Sequence, residues 1–176
     1  MQIRNIALTI KVKKTTFSKV VSFFERNELK LVFLALITIS VLSFLTFYKN
    51  GLGLAYNDAR SHLNIGRRVV EGLKPGIAQL GSVWLPLPHV LMIPTIWNDF
   101  MWHSGLAGSL ASMISFILTG LIIILYLREL KVGLLGRIVA VSAFAINLNV
   151  LYLQSTAMTE LLILFTMTAG SYEMLL

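Results

Sequence analysis

The sequence predicts an all-α fold, a polytopic bundle of transmembrane helices, and three observations support this class. Apolar residues make up 56% of the 176 residues and charged residues only 13%, whereas globular domains average about 45–50% and about 25%. Several runs of 18 or more residues contain no charge, which is typical of helices that cross a hydrocarbon core of about 30 Å. The 15 basic residues lie beside these runs, which favours a role in membrane orientation over nucleic-acid binding.

The first span is predicted over residues 31–48, an uncharged run of 18 residues. Seven basic residues lie in residues 1–30, so this segment is too long and too charged for a simple signal peptide. No small-residue cleavage site follows the run, and we therefore expect the span to remain as a signal anchor. Residues 1–29 then form a basic cytoplasmic segment, and residues 30–176 form the membrane domain.

Residues 75–98 are also uncharged, but four prolines in this stretch predict that it does not cross the membrane. Each proline costs about 3 kcal/mol in a helix interior, because it lacks an N–H and clashes with the preceding turn. If the stretch crossed, the basic residues would divide seven inside against eight outside; if it does not, they divide ten against five. Since cytoplasmic loops carry the excess of Lys and Arg, we predict one long external loop over residues 49–105 with interfacial helices. The indoles of Trp84, Trp97 and Trp102 suit the headgroup level of that loop.

Two further uncharged runs predict the remaining spans. Residues 104–127 run inward, the basic turn RELKVGLLGR (residues 128–137) lies in the cytoplasm, and residues 138–153 run outward. A fifth apolar run begins at Leu161. Because the sequence ends inside this run, we expect the protein to continue beyond Leu176.

Small and polar residues within the spans predict how the helices pack. Asn147 and Asn149 in the third span are expected to form interhelical hydrogen bonds. Small residues on the second span predict a close helix–helix approach: Ala107, Gly108, Ala111, Ser112 and Ser115.

Polar chemistry is concentrated in the first loop, where NDARSHLNIGRRVVEG (residues 57–72) predicts a short helix. Asn57 or Asp58 fits the N-cap, and Gly72 fits the stop. Asp58 and His62 are four residues apart, so their side chains are expected to project together. An apolar stripe recurs at helical spacing: Ala59, Leu63, Gly66 and Val70.

Each polar side chain of the loop has two interpretations. Asp58 is either a helix cap alone or a general base in a surface site. His62 is either a structural histidine or a substrate-binding partner of that base. Arg67 and Arg68 either anchor the helix to lipid phosphates or bind the phosphate that leaves during a transfer reaction, which a guanidinium fork fits. His89, after WLPLP, is either a headgroup-level histidine or a site residue.

Glu160, in QSTAMTELL, directly precedes apolar sequence. A carboxylate at the bilayer centre costs roughly 2.5 to 3.5 kcal/mol, so we expect this one to face a cavity, a metal or the interface. The alternative is an ordinary acid in the first turn of a helix, where it complements the helix dipole. In that case Ser155, Thr156 or Thr159 caps the helix. The charge count places Asp58 and Glu160 on the same external face.

Three stretches resemble the GT-C glycosyltransferases, polytopic membrane enzymes that use lipid-phosphate sugar donors. YNDARSHLNIGRRVVEG resembles their acidic first-loop motif, QLGSVWLPLPHVLMIP resembles the proline-rich segment before their second span, and TAMTELL resembles their second acidic position. The protein mannosyltransferase and aminoarabinose transferase group is the most similar. The resemblance covers the chain from about residue 30 onward, and it implies that residues 30–176 form the N-terminal part of a GT-C-like catalytic domain.

The resemblance also implies roles for individual residues. Asp58 would be the base that takes a proton from an acceptor hydroxyl as that hydroxyl attacks the anomeric carbon. Glu160 would assist through a divalent cation, Mg or Mn, or by positioning substrate, which makes Asp58 and Glu160 the candidate metal ligands. Arg67, Arg68 and His89 are candidates for holding the donor phosphate.

We therefore expect an inverting membrane glycosyltransferase of the cell membrane. It would move a sugar from a polyprenyl-phosphate carrier to a hydroxyl of a protein, lipid or glycan on the external face. One alternative is a transporter or channel subunit, in which the two acids line a path; another is a non-catalytic assembly subunit. Transporters usually place ionisable groups near the bilayer midplane and often show paired repeats, whereas here the acids lie at span ends and no repeat is visible.

Overall fold

The computed structural model describes the backbone of residues 2–80 and 84–176, and the side chains of residues 18–80 and 84–176. Helices and short connections make up these parts of the chain, which contain no strand, and the predicted all-α class is confirmed. The elements are α1 (Gln2–Lys49), α2 (Asn57–Val70), a 3-10 turn (Ile77–Gln79), α3 (Leu87–Ile96), α4 (Asp99–His103), α5 (Leu106–Glu129), α6 (Leu134–Ala145), α7 (Leu148–Gln154) and α8 (Glu160–Glu173).

Two helices are long and apolar enough to cross a membrane: the Ser18–Lys49 part of α1 and the whole of α5. The 24 residues of α5 extend about 36 Å at 1.5 Å per residue, which exceeds a hydrocarbon core of about 30 Å. These helices contain or overlap the spans predicted over residues 31–48 and 104–127. The helix α1 continues through the predicted segment boundary at residue 30 without a break.

The third predicted span is broken, because α6 and α7 together have the length and composition of a span but meet at 61°. The side chain of Asn147 lies at the break and accepts hydrogen bonds from the backbone N–H groups of Asn149 and Val150, at 3.0 and 3.2 Å. Asn147 therefore caps α7, and Asn149 is exposed. The prediction of interhelical asparagine bonds was wrong, since the Asn147 side chain satisfies the backbone of its own segment instead. The third span itself stays a prediction, because the bent pair has the length and composition of one.

The proline-rich stretch over residues 75–98 contains only one α-helix in its described part, the ten-residue α3. Ten residues extend about 15 Å, half of what a span requires. Pro86 precedes α3 and Pro88 lies in its first turn, where a backbone N–H has no intrahelical partner to lose. A Cβ built on Gly53 would lie 3.8 Å from the carbonyl oxygen of Ser104, so the two ends of the loop meet. These observations agree with the prediction that this stretch is not a full span.

The bundle has two ends, which we name by the connections found there. The loop end contains the end of α1, the start of α5 and the passage from α7 to α8 over residues 154–160. The turn end contains Glu28 of α1 and the α5–α6 connection, residues 128–137. Helix α8 starts beside the first turns of α5, at Ser112, and ends beside its last turns, near Tyr126. The two helices are therefore parallel.

Small residues let α5 approach the passage between α7 and α8. A Cβ built on Gly108 would lie 2.9 Å from the Cα of Ala157, closer than real Cβ contacts allow. The hydroxyl of Ser112 donates to the carbonyl of Met158 at 2.6 Å. The predicted small-residue packing of this helix is thus confirmed, and it fixes the passage that leads into Glu160.

A buried ion-pair network joins three helices at the turn end. The Glu28 side chain is fully buried and accepts hydrogen bonds from Arg128, at 2.9 and 2.6 Å, and from Arg137, at 2.8 and 3.0 Å. These bonds connect α1, α5 and α6. The sequence did not single out Glu28, because its two partners lie about one hundred residues further along the chain and no local pattern reveals the pairing.

Candidate functional site

The candidate site is built on α2 and α3, which pack against each other at the loop end. Of the predicted apolar stripe, Ala59, Leu63 and Gly66 are buried, whereas Val70 is exposed. A Cβ built on Gly66 would lie 3.6 Å from Met92 of α3, so a small residue permits this close helix pair. The apolar stripe therefore positions α2 on the rest of the fold.

The start of α2 differs from the prediction, whereas its end agrees with it. Tyr56 is the N-cap residue and no side chain caps the helix, so Asn57 and Asp58 both lie inside the first turn. The helix ends at Val70, and Glu71 is the C-cap; Gly72 follows at once with a positive φ of 155°, so the predicted stop is confirmed. The carboxylate of Asp58 is exposed at the helix start, where the helix dipole favours a negative charge.

A pair of buried histidines links α2 to α3. The Nδ1 of His62 and the Nε2 of His89 are 2.9 Å apart, and the two residues are only 2% and 0% exposed. One of these two nitrogens must donate and the other accept, so the bond requires an unprotonated nitrogen and cannot form between two imidazolium ions. We refer to His62 and His89 as the histidine pair.

Burial favours the neutral form of both imidazoles. It lowers the pKa of His62, and the nearby charge of Asp58 opposes this shift only in part. Burial also lowers the pKa of His89, the adjacent His62 adds to the effect, and the carbonyl of Leu85 opposes it. That carbonyl lies outside hydrogen-bond geometry, so the buried Nδ1 of His89 has no hydrogen-bond partner among the described residues. The pair is thus held neutral by its surroundings at physiological pH.

The histidine pair lies beside a cavity of about 310 Å³ between α3 and α8. His62 lines this cavity, and Trp84 packs over its imidazole with ring centroids 4.6 Å apart. The other walls are mostly apolar, with the hydroxyl-bearing Thr159, which precedes α8, and Thr166 on α8. The cavity is therefore an apolar chamber with one imidazole and few polar groups, a composition common in ligand sites. Trp84 was predicted at the headgroup level, but its packing on His62 was not foreseen.

The second acid also lies at the loop end. Glu160 is the first residue of α8 and is exposed, and the preceding Thr159 lines the cavity beside His62. Thr159 is the N-cap residue of α8, but its side chain makes no capping bond. Both acids thus lie in the first turns of helices at the loop end, while His62, one turn after Asp58, and Thr159, next to Glu160, line one cavity. Their shared position on the external face of a membrane stays a prediction.

The two adjacent arginines have different surroundings. Arg67 donates to the carbonyls of Ile96 and Trp97, both at 2.8 Å, and to the Asp99 carboxylate at 2.6 Å. Its remaining N–H groups point at Glu71, and its guanidinium lies 4.8 Å from the ring centre of Trp102. These partners occupy all five N–H donors of Arg67. It therefore fastens α2 to the end of α3.

The neighbouring Arg68 is exposed. Arg60, also exposed, donates its Nε–H to the carbonyl of Leu54 at 3.0 Å, which leaves most of its guanidinium donors directed elsewhere. Of the arginines on α2, Arg60 and Arg68 therefore keep donors available for a ligand, and Arg67 does not. The sequence alone could not distinguish them, since the outcome depends on which carbonyls face the helix after folding.

The metal prediction rests on Asp58 and Glu160. Within the part of the chain that the structure describes, no group of three or more His, Asp or Glu side chains has the arrangement of a metal site. Two separate exposed carboxylates do not make a complete ligand set for Mg²⁺ or Mn²⁺. A cation at this site would need further oxygen ligands from a substrate phosphate or from water.

Comparisons of the chain with protein-family models, with curated proteins and with solved structures find no match.

Proposed function

We propose that this chain is the N-terminal part of a GT-C-like catalytic domain in a polytopic membrane glycosyltransferase. The enzyme transfers a sugar from a polyprenyl-phosphate donor to a hydroxyl acceptor. One observation carries the proposal: exposed acids lie in the first turns of α2 and α8, and one apolar cavity is lined both by His62, one turn after Asp58, and by Thr159, next to Glu160. In this proposal the loop end faces the outside of the cell membrane and the turn end faces the cytoplasm, in accord with the distribution of basic residues.

Asp58 is the proposed base. It takes the proton from the acceptor hydroxyl, whose oxygen forms a bond to the anomeric carbon of the sugar. The bond between that carbon and the phosphate oxygen breaks at the same time, and its electron pair leaves with the lipid phosphate. Because attack comes from the face opposite the leaving group, the configuration at the anomeric carbon inverts. The exposure of Asp58 supports this role, since an incoming acceptor can reach its carboxylate.

The leaving phosphate needs positive charge and hydrogen-bond donors. Arg68 can supply both, because it is exposed on α2. Arg60 is exposed too, but it lines a separate hollow with Leu54, His103 and Ser104. Arg67 has a positioning role, since its donors hold the end of α3 in place. Of the predicted pair Arg67 and Arg68, the phosphate contact therefore falls to Arg68.

The histidine pair positions the donor. His62 faces the cavity and can donate to a phosphate or sugar oxygen, whereas His89 is fully buried and acts by holding the ring of His62. Glu160, exposed at the start of α8, is proposed to orient the acceptor or donor hydroxyls. If a divalent cation takes part, Asp58 and Glu160 are the exposed carboxylates that would help to hold it beside the donor phosphate.

The test is the substitution Asp58→Asn in the full protein. Membranes containing the protein are incubated with a radiolabelled polyprenyl-phosphate sugar and a cell-envelope acceptor fraction, and the label that leaves the lipid phase is counted. Loss of the base should reduce transfer by roughly 10²- to 10⁴-fold. Glu129→Gln is the matched control, because it removes an exposed carboxylate at the turn end. Normal transfer by Asp58→Asn, at equal protein abundance, would reject Asp58 as the base.

A second candidate, a transporter, is favoured by the broken span, since interrupted helices are typical of transporter sites. The α6–α7 break leads to Gln154, which is buried and bonded to Ser40 at 2.6 Å. Two results together would support the transporter. Vesicles that contain the protein would take up a solute, with slower uptake in Asn147→Ala, and no covalent sugar transfer would be detected. Sugar transfer that is lost in Asp58→Asn decides for the enzyme.

A further inference from the structure

A second cavity lies at the turn end, far from the candidate site. It is a groove of about 270 Å³ between α1 and α6, and Glu28 is among its lining residues. The α1 side runs from Phe24 to Ile39, which corresponds to about 22 Å along the helix. Apart from Glu28 and Ser142, the lining side chains are apolar. The groove is therefore a long apolar trough that ends beside an ionic network.

The network at this end has more cationic than anionic groups. Glu28 is the only acid in it and is shared by Arg128 and Arg137. Residues 25–30 and 128–137 together hold five Lys or Arg residues and three Glu residues, including the exposed Glu25 and Glu129. These two segments therefore give the turn end a net positive charge.

One donor group of the network faces away from Glu28. Arg128 donates its Nε–H and Nη2–H to the carboxylate, while its Nη1 has no hydrogen-bond partner among the described residues. The Arg128 side chain is 32% exposed, compared with 12% for Arg137. Arg128 is therefore the cation of this network that is best able to accept an external anion.

We infer that this groove binds an anionic phospholipid, with the lipid phosphate on Arg128 and one acyl chain along α1 and α6. A lipid tail occupies one leaflet, about half of a core of about 30 Å, so a trough of about 22 Å can hold it. Basic pockets between membrane helices are suited to anionic headgroups, and each Lys or Arg near the surface contributes about 1 kcal/mol to that attraction. The inference concerns the turn end and does not depend on the proposed catalysis.

The experiment measures lipid binding to the full chain by native mass spectrometry in detergent. Dioleoyl phosphatidylglycerol and dioleoyl phosphatidylcholine have the same tails, so their affinities separate the headgroup from the chain. We expect tighter binding of the anionic lipid and about fivefold weaker binding after Arg128→Gln, which is the factor that about 1 kcal/mol gives. Arg128→Lys should retain most of the preference. Lys74→Gln, which removes an exposed cation at the loop end, is the matched control.

A second variant tests the groove without disturbing the network. Ala35→Phe places a ring in the trough and should weaken binding of both lipids while Glu28 keeps its partners. Equal affinity of the wild type for the two lipids would overturn the inference. So would the finding that inorganic phosphate displaces the anionic lipid while Ala35→Phe leaves the binding of both lipids unchanged. A dimer that disappears in Ala35→Phe would also overturn it, because a second copy would then be the occupant.

Discussion

Replacement of Glu28 by Gln tests whether the turn-end network holds the bundle together. Glu28→Gln keeps the shape of the side chain but removes the charge that four N–H groups of Arg128 and Arg137 contact. Leaving a buried charge without its partner costs about 3–5 kcal/mol. We expect about 3 kcal/mol, the low end, because Arg128 is 32% exposed and part of its charge stays solvated.

The measurement is thermal unfolding of the purified protein in detergent, followed by circular dichroism. A loss of about 3 kcal/mol should lower the Tm of a chain of this size by roughly 6–12 °C. Glu25→Gln is the control, since Glu25 is exposed on the same helix and exposed ion pairs contribute about 0–1 kcal/mol. If the two substitutions lower Tm equally, the network does not stabilise the fold and the reasoning from burial is refuted.

Three other predictions follow from the loop end. Gly108→Val should cost about 1–3 kcal/mol by overpacking and lower the Tm, whereas an unchanged Tm would mean that this helix contact is absent. Acidification from about pH 7 to about pH 5 should destabilise the fold: burial lowers the pKa values of His62 and His89 below 6.5, so the unfolded chain binds protons that the folded pair does not. The double substitution His62→Gln, His89→Gln should flatten this pH dependence, and a persistent slope would assign it to other groups. Arg67→Gln should destabilise the loop by about 1–3 kcal/mol and expose it to protease, while Arg68→Gln should leave its protease resistance unchanged but raise the KM for the lipid donor.

The sequence predicted those features that depend on local pattern. The apolar runs identified α1 and α5 as candidate spans, because hydropathy and length are properties of a contiguous segment. The prolines correctly excluded residues 75–98 as a full helix, since each one acts on its own turn. Even so, local pattern erred at Asn147, where a capping interaction competed with the helix and broke the third span.

Contacts between residues that are far apart in the chain could not be predicted from the sequence. His62 and His89 were both singled out, but nothing in a separation of 27 residues indicated that their rings would bond. Likewise, Arg67 and Arg68 are adjacent and chemically identical, and only the placement of the end of α3 commits Arg67 to the protein.

By itself, the sequence determined an all-α chain with membrane-length helices and a polar loop whose acids mark two helix starts. Tertiary structure decided which polar groups meet: the histidine pair beside the cavity, and the shared carboxylate of Glu28 at the opposite end. The physical reason is the distance along the chain over which each interaction acts. Hydropathy and capping act within a few residues, whereas hydrogen bonds and ion pairs require two side chains that only packing brings to about 3 Å.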